Sequence, residues 1–467
     1  GSNTGGNNNN NNNNNGGSGG GSNSPPPPPA PKDMRVSTFN AGLVQTVPYS
    51  VEREGPLMNA LATEASNTDV LCVQELFKES QIRAAYNKVK SQLPYFATAV
   101  DPSGPAQPMP KVACSDSTRL AVFATCAANN CQAAMDTARA GPTIANGTAA
   151  VKCMAKNCAA QMLEMNSNAP ACYACIFATA ANGSDVNYCA TAASKLIRWD
   201  SSYGVAIFSR YKINNVLAVR MPTFMGVRAA MVGKMNVWDS ANWGTVGIAC
   251  AHLSSNHTGG YFGVLGNWIA EQREQLKVLN DRFLAKGGSG GGFLLAGDLN
   301  TGPELSVQDA SGNNHVIQGE NAINYAELTG TGGMSGGIEL KSYFEAQAKA
   351  NQLTTSPCTF CGQSNKLHKK AVPAGTNDVM IDHILASSKL AANATATTLI
   401  LNSQTSFTAS DGQTYSLSDH YGVRTTFRIH PQPADKENAA PSTRAITATS
   451  VAGLGAISLG MCWAADA

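Results

Sequence analysis

The sequence is short of charge. Only 14% of its 467 residues are Asp, Glu, Lys or Arg, against about a quarter in an average soluble domain. The 33 basic and 31 acidic residues nearly cancel, leaving a formal charge of +2. That balance excludes a large basic tail and any strong pull on nucleic acid or an anionic membrane through net charge alone. Long apolar runs are lacking as well. The nearest, Val451 to Ala465, is too short and too diluted with Gly and Ser to span a bilayer. No charged-then-apolar segment opens the chain, so a targeting peptide is expected to have been removed or never to have been included. A truncated anchor signal at the far end stays open. Histidine is missing from residues 112–192, where eight of the thirteen cysteines (Cys114, Cys126, Cys131, Cys153, Cys158, Cys172, Cys175 and Cys189) crowd together. Without histidines, and with Cys172 and Cys175 as the one C-x-x-C pair there, zinc is the weaker reading and disulfides the stronger. Their pairing cannot be read from spacing.

What is present divides the chain. Residues 1–33 are Asn, Gly and Ser followed by Pro25 to Pro29, and are expected to form a disordered linker with a stiffer polyproline end. Residues 34–430 are expected to form one catalytic domain, interrupted by a cysteine-rich helical insertion at 112–192. Residues 431–467 form a low-complexity tail. The length would otherwise accommodate two or three average domains. Strands are expected at 34–40, 69–74, 203–208, 231–237, 245–252, 293–296, 378–385 and 422–429. Helices are expected at roughly 54–66 and 262–284, the latter with Trp268, Leu276 and Leu279 facing inward. Two stacked sheets with outer helices, an α/β or α+β sandwich of four layers carrying the inserted subdomain, satisfy this pattern.

Polar residues interrupt or follow apolar strands where a purely structural strand would not want them. They are Asn40 after VSTF, Gln74 and Glu75 after VLCV, His252 after GIACA, Asp298 and Asn300 in GDLN, Asp382 and His383 in IDHIL, and Asp419 and His420 in SDHYGV. A carboxylate at the end of an apolar strand is costly unless it meets a cation or a hydrogen-bond donor. Several converging there would make a hard-cation site suited to magnesium. Taken singly, each has an ordinary reading: a turn at Asn40, a helix cap at Glu75, a satisfied core histidine at His252.

Taken together, the ordered set resembles the endonuclease/exonuclease/phosphatase superfamily over about residues 34–109 and 196–429. The resemblance implies Glu75 as the principal magnesium ligand, with Asn40 and Asp419 close to the metal; manganese or calcium could substitute. It implies His420 as the general base, oriented by Asp382. Asp298 and Asn300 would position the nucleophile and phosphoryl oxygens, and His252 would contact the phosphate and assist the leaving oxygen. His383 is expected to be a packing or supporting residue. His257, His315, His368 and His430 are expected to be solvated loop residues.

Within that family the stretches DVLCVQELF, YGVAIFSRYKI and SPCTFCGQSNKL resemble those of neutral sphingomyelinases. The implied reaction is cleavage of sphingomyelin to ceramide and phosphocholine by activated water, at a membrane surface, by a monomer. The alternatives are an endonuclease like deoxyribonuclease I, another phosphoesterase, or a catalytically dead binding module. Trp238, Trp243, Tyr261, Phe262 and Trp268 bracket His252 and would suit a lipid surface if exposed. Cys72 and Cys250 are expected to be buried thiols and Cys358–Cys361 a tight local disulfide, while Cys462 is unmatched. The catalytic scaffold is thus expected to fold without its cysteines. The cysteine cluster and the sequons at Asn146, Asn182 and Asn393 suggest a secreted or lumenal glycoprotein. A sequon at Asn256 lies so near His252 that a glycan would crowd the cleft.

Overall fold

A computed structural model describes residues 28–431, apart from 45–46, 105–110, 141–143, 182–185, 193, 195–203, 224–227, 239–243, 257–260, 262–264, 285–291, 310, 331–338 and 373–376. Most of the linker, the tail after Pro431, His257, Trp243, Phe262, Asn182 and Cys462 lie outside the described residues.

Period-two alternation builds the core. In Val70–Gln74 (β2), Val70 and Cys72 belong to one apolar cluster and Leu71 and Val73 to another. In Val246–His252 (β7) and Phe293–Asp298 (β8) the same split separates Ile248, Cys250, Leu294 and Ala296 from Ala249, Ala251, Phe293 and Leu295. Strands buried on both faces read as continuous apolar runs, and here each face meets a different layer. The inner faces of two sheets share one cluster. The outer face of one sheet packs on Ser50–Asn67 (α1) and Glu79–Val89 (α2), and that of the other on Trp268–Leu279 (α7) and the Ala322–Thr329 helix. The expected four-layer sandwich is therefore what forms.

The sheets are built alike. In the first, the order is Ala394–Ile400, Gly422–Ile429, Lys32–Asn40 (β1), β2, Ala206–Ser209 (β4) and Tyr95–Thr98 (β3). In the second it is Leu340–Ser342, Asp382–Ser387, β8, β7, Arg228–Met235 (β6) and Ile213–Met221 (β5). Each sheet has one parallel pair at its centre, β1 with β2 and β7 with β8, and antiparallel neighbours elsewhere. The two central pairs end at the same place, Asn40 opposite Gln74 and His252 opposite Asp298.

One expectation fails in the core. Cys72 and Cys250 are not thiols: they are disulfide-bonded across a sequence separation of 178, joining β2 to β7. Both lie on the inner faces, so stacking the sheets brings the two sulfurs together. The catalytic scaffold therefore carries a covalent cross-link of its own. Cys358–Cys361 is disulfide-bonded, as expected.

Between β3 and β4 stand Ser117–Ala140 (α3), Ile144–Asn157 (α4), Ala159–Asn168 (α5) and Pro170–Ala181 (α6). All eight cysteines of this insertion are paired: Cys114–Cys172, Cys126–Cys158, Cys131–Cys153 and Cys175–Cys189. They line a separate apolar cluster that also takes in Trp268 of α7. The insertion closes at its neck, where Cys114 N donates to Cys189 O at 2.8 Å and Ala113 N donates to Ser194 Oγ at 3.0 Å.

Candidate active site

The inner faces of both sheets run past their apolar cluster into polar residues. Asn40 continues the Met34, Val36, Thr38 phase; His252 follows Ile248 and Cys250; Asp298 follows Leu294 and Ala296; Asp382 precedes Ile384 and Ala386. Side chains of one phase share a face. The same alternation that builds the core thus aims these four groups into one corner, roofed by the 418–420 turn.

Asn40 Nδ2 donates to Asp298 Oδ2 at 2.9 Å and to Glu75 Oε1 at 3.3 Å. His252 Nε2 lies 3.5 Å from Asp298 Oδ2 and 3.8 Å from Glu75 Oε1. Asp382 stands opposite Asp298 in the strand register. His420 Nδ1 is 2.9 Å from Asp382 Oδ2, and its Nε2 is 3.9 Å from Asp298 Oδ2. Asn300 N donates to Asp298 Oδ1 at 3.0 Å, while Asn300 Nδ2 donates to Leu253 O at 2.8 Å. Asp419 Oδ1 accepts from Ser418 Oγ at 3.2 Å, and that hydroxyl also donates to Asn40 O at 2.7 Å. Nine of the ten polar residues singled out in the sequence are buried, and Glu75 is half-buried.

Backbone conformation is unusual here. Glu75 and Asn300 have φ of 60° and 46°, a region most side chains avoid. Gly297, at φ 144°, could carry no side chain, because a Cβ there would sit 1.9 Å from Ala251 O. That close approach lets β7 and β8 end side by side.

Electrostatics follow from burial. Desolvation, then the neighbouring Asp419, raises the pKa of the Glu75 carboxyl. Desolvation and Asp382 push Asp298 up to about 7. Burial opposes the charged form of His420, but the Asp382, Asp298 and Asp419 carboxylates outweigh it and push the imidazole up to about 10. His252 is held well below the ordinary histidine range by burial and by Arg228 and His420, so it is neutral. Among the described residues neither Glu75 nor Asp298 has a Lys or Arg ion pair. Asp298, Asp382 and His420 each bring one ligand atom within 4.8 Å of the others.

Sequence reasoning missed Arg53. It lies in VEREG near the start of α1, and its guanidinium is fully buried. It donates to the carbonyls of Pro48, Ala41, Gly42 and Leu417, tying α1 to the loops beside Asn40 and Asp419. Burial lowers its pKa to about 10, against the pull of Asp419 and Glu75. His368 corrects another expectation. It is buried on the Lys366–Ala371 helix and meets the Phe360 ring edge-on, with centroids 4.1 Å apart. His315 is also no free loop residue, being on a short strand with Nε2 3.1 Å from Asp309 Oδ2. His383 is buried, its Nε2 2.8 Å from Thr301 O. Trp238 and Trp268 are core residues, 4% and 6% exposed, so neither offers the aromatic rim expected for a lipid surface. Tyr261 is half-buried, its hydroxyl bonded to Glu271.

The sequence matches the Endonuclease/Exonuclease/phosphatase family over residues 37–420. No curated protein matches it. Solved structures similar to it include sphingomyelinase C from Streptomyces griseocarneus, at 15% identity and TM-score 0.40, covering 85% of this chain and 100% of that one. A mutant beta toxin from Staphylococcus aureus with bound magnesium ions is 13% identical, with TM-score 0.42 and coverage of 85% and 100%. TDP2 of D. rerio complexed with a single-strand DNA product is 15% identical, with TM-score 0.43 and coverage of 85% and 99%.

Proposed function

Since the chain belongs to the endonuclease/exonuclease/phosphatase family, we propose that it hydrolyses a phosphodiester with a divalent cation and a histidine-activated water, and that its substrate is sphingomyelin. Fold alone does not select a substrate, so the reading stands on the site. The observation that carries it is the line Asp382 Oδ2, His420 Nδ1, His420 Nε2, Asp298 Oδ2, with separations of 2.9 Å and 3.9 Å at its ends.

The residues fit a hard cation. Glu75, Asp298 and Asp419 supply carboxylates to a corner where two of them resist ionisation and lack a Lys or Arg partner, an arrangement that positive charge would relieve; Asn40 faces it with Nδ2, its Oδ1 accepting from Gly42 N at 2.9 Å. His420 and Asp382 approach the same corner; Asp382 Oδ2 is spent on His420 Nδ1, while its Oδ1 is buried without a hydrogen-bond partner and is a further oxygen donor for the ion. Magnesium suits it, with manganese or calcium as substitutes. When bound, such an ion neutralises charge on the phosphoryl oxygens.

The chain's own residues do the rest. His420 Nε2 takes the proton of the attacking water, and Asp382 holds Nδ1–H and therefore the tautomer. Asp298 orients the water, with Asn300 fixing the turn behind it. Neutral His252 offers an N–H to the phosphoryl or leaving oxygen. Three sequence stretches like those of sphingomyelinases support the lipid. Disulfides joining twelve of thirteen cysteines support secretion or a lumenal location. Among the described residues no helix is long and apolar enough to cross a membrane.

The test is hydrolysis of sphingomyelin vesicles and nicking of plasmid DNA, each with magnesium and with EDTA, by the wild type and Glu75→Gln. Magnesium-dependent phosphocholine release that Glu75→Gln loses is the expected result. Nicked DNA beside intact lipid would replace sphingomyelin with a nucleic-acid substrate.

A further inference from the structure

The Asp382–His420 pair is held by a short loop that belongs to neither of their motifs. Thr359 Oγ accepts from Ile381 N and from Asp382 N, both at 3.0 Å. Thr359 N donates to Val379 O at 3.0 Å, and Thr359 O accepts from Tyr421 N at 2.7 Å. One fully buried residue therefore bonds to the backbone of Asp382 and to the residue next to His420. Phe360 adds a second hold. It forms a β-bridge with His420, and its ring lies against the imidazole with centroids 4.7 Å apart. Its other neighbour is the buried His368.

These two residues are the whole content of the Cys358–Cys361 disulfide loop, whose cysteines are 2% and 0% exposed. A bond closed over so few residues restricts the loop to few conformations, so the hydroxyl and the ring are presented in fixed relation. Proton transfer depends steeply on such geometry, and about 1 Å of misplacement can cost roughly 100-fold.

We propose that Thr359 and Phe360, clipped by Cys358–Cys361, are positioning residues that set the tautomer, plane and distance of the Asp382–His420 pair. The inference rests on His420 acting as the base. It adds a function for a C-x-x-C that carries no redox chemistry of its own.

Thr359→Val keeps the shape and removes the acceptor, while Thr359→Ser keeps the acceptor. The measurements are kcat and KM on bis(p-nitrophenyl) phosphate with magnesium, thermal melting, and the NMR signal of the His420 Nδ1 proton. Thr359→Val is expected to lower kcat by roughly 10- to 100-fold at unchanged KM, in proportion to the displacement, and to shift or broaden the Nδ1 proton signal. Thr359→Ser should restore both. A folded Thr359→Val protein with wild-type kcat and signal, or equal damage from Val and Ser, overturns the proposal. Should Thr359→Val not fold, Phe360→Leu and the Cys358→Ser, Cys361→Ser pair decide: an unchanged signal and kcat in both would also overturn it. The NMR signal does not depend on turnover. A wild type inert towards every phosphodiester would sink the proposed function and leave the positioning question still answerable from that signal.

Discussion

Asp298 and Asp382 face one another across neighbouring antiparallel strands, and His420 bridges them, Nδ1 to Asp382 at 2.9 Å and Nε2 towards Asp298 at 3.9 Å. Two buried carboxyls at such close quarters cannot both ionise cheaply unless positive charge joins them. In the protein alone the imidazolium supplies that charge, which is why His420 holds its proton so firmly. A cation held by the same carboxylates would supply that charge in its place, leaving His420 Nε2 able to accept a proton.

Replacing His420 by Ala is expected to reduce kcat by about 100- to 10,000-fold, the span of general-base contributions, with the fold intact by circular dichroism. Asp382→Asn should fall in the same direction, because the imidazole loses the acceptor that fixes its tautomer. A His420→Ala enzyme with full turnover on bis(p-nitrophenyl) phosphate would remove this residue from the base role.

The metal-free protein should lose stability as pH rises from 7 to 10. His420 is raised above its unfolded value of 6.5 to about 10, so its stabilisation is complete below pH 6.5 and disappears through that window. Asp298, raised from 3.8 to about 7, acts in the same sense at lower pH: its folded carboxyl prefers the proton, and stability falls as it ionises. His252 opposes them only below 6.5, since its lowered pKa costs stability when the unfolded chain takes up a proton. Thermal melting in EDTA at pH 7, 8, 9 and 10 checks this, and His420→Ala should flatten the decline. A wild-type midpoint that rises across the range contradicts it.

Cys72→Ala with Cys250→Ala should cost about 5 kcal/mol of unfolding free energy, the loop-closure value for a cross-link spanning 178 residues. The four insertion disulfides enclose far shorter loops, so selective loss of any one of them should cost less. Urea unfolding measures both, and a Cys72, Cys250 double variant within about 1 kcal/mol of wild type would show the sheets to be held by packing alone.

How much of this could be read in advance depends on whether local pattern or stacking decides the matter. Asn40, His252, Asp298 and Asp382 were legible because each breaks an apolar strand at its end, and the two-residue period already puts them on one face. The sandwich and the helical insertion were legible for the same reason. The Cys72–Cys250 bond was not, since it depends on which faces of two sheets meet across 178 residues. Arg53 was missed and His368 misread because a charged or titratable residue in a polar stretch is ordinarily solvated. Only the folded chain shows that a ring of carbonyls surrounds one and that Phe360 covers the other. Thr359 gave no signal at all: its contribution lies in hydrogen bonds to backbone that two other segments supply.

The closed neck of the cysteine-rich insertion has a topological meaning. Thr98, at the end of β3, is paired with Ala206, at the start of β4, so the chain leaves and rejoins the sheet edge at one point. The four helices and their disulfides thus occupy the place of a hairpin turn that has grown into a small domain. A turn of four or five residues would close the same two strands in the same register.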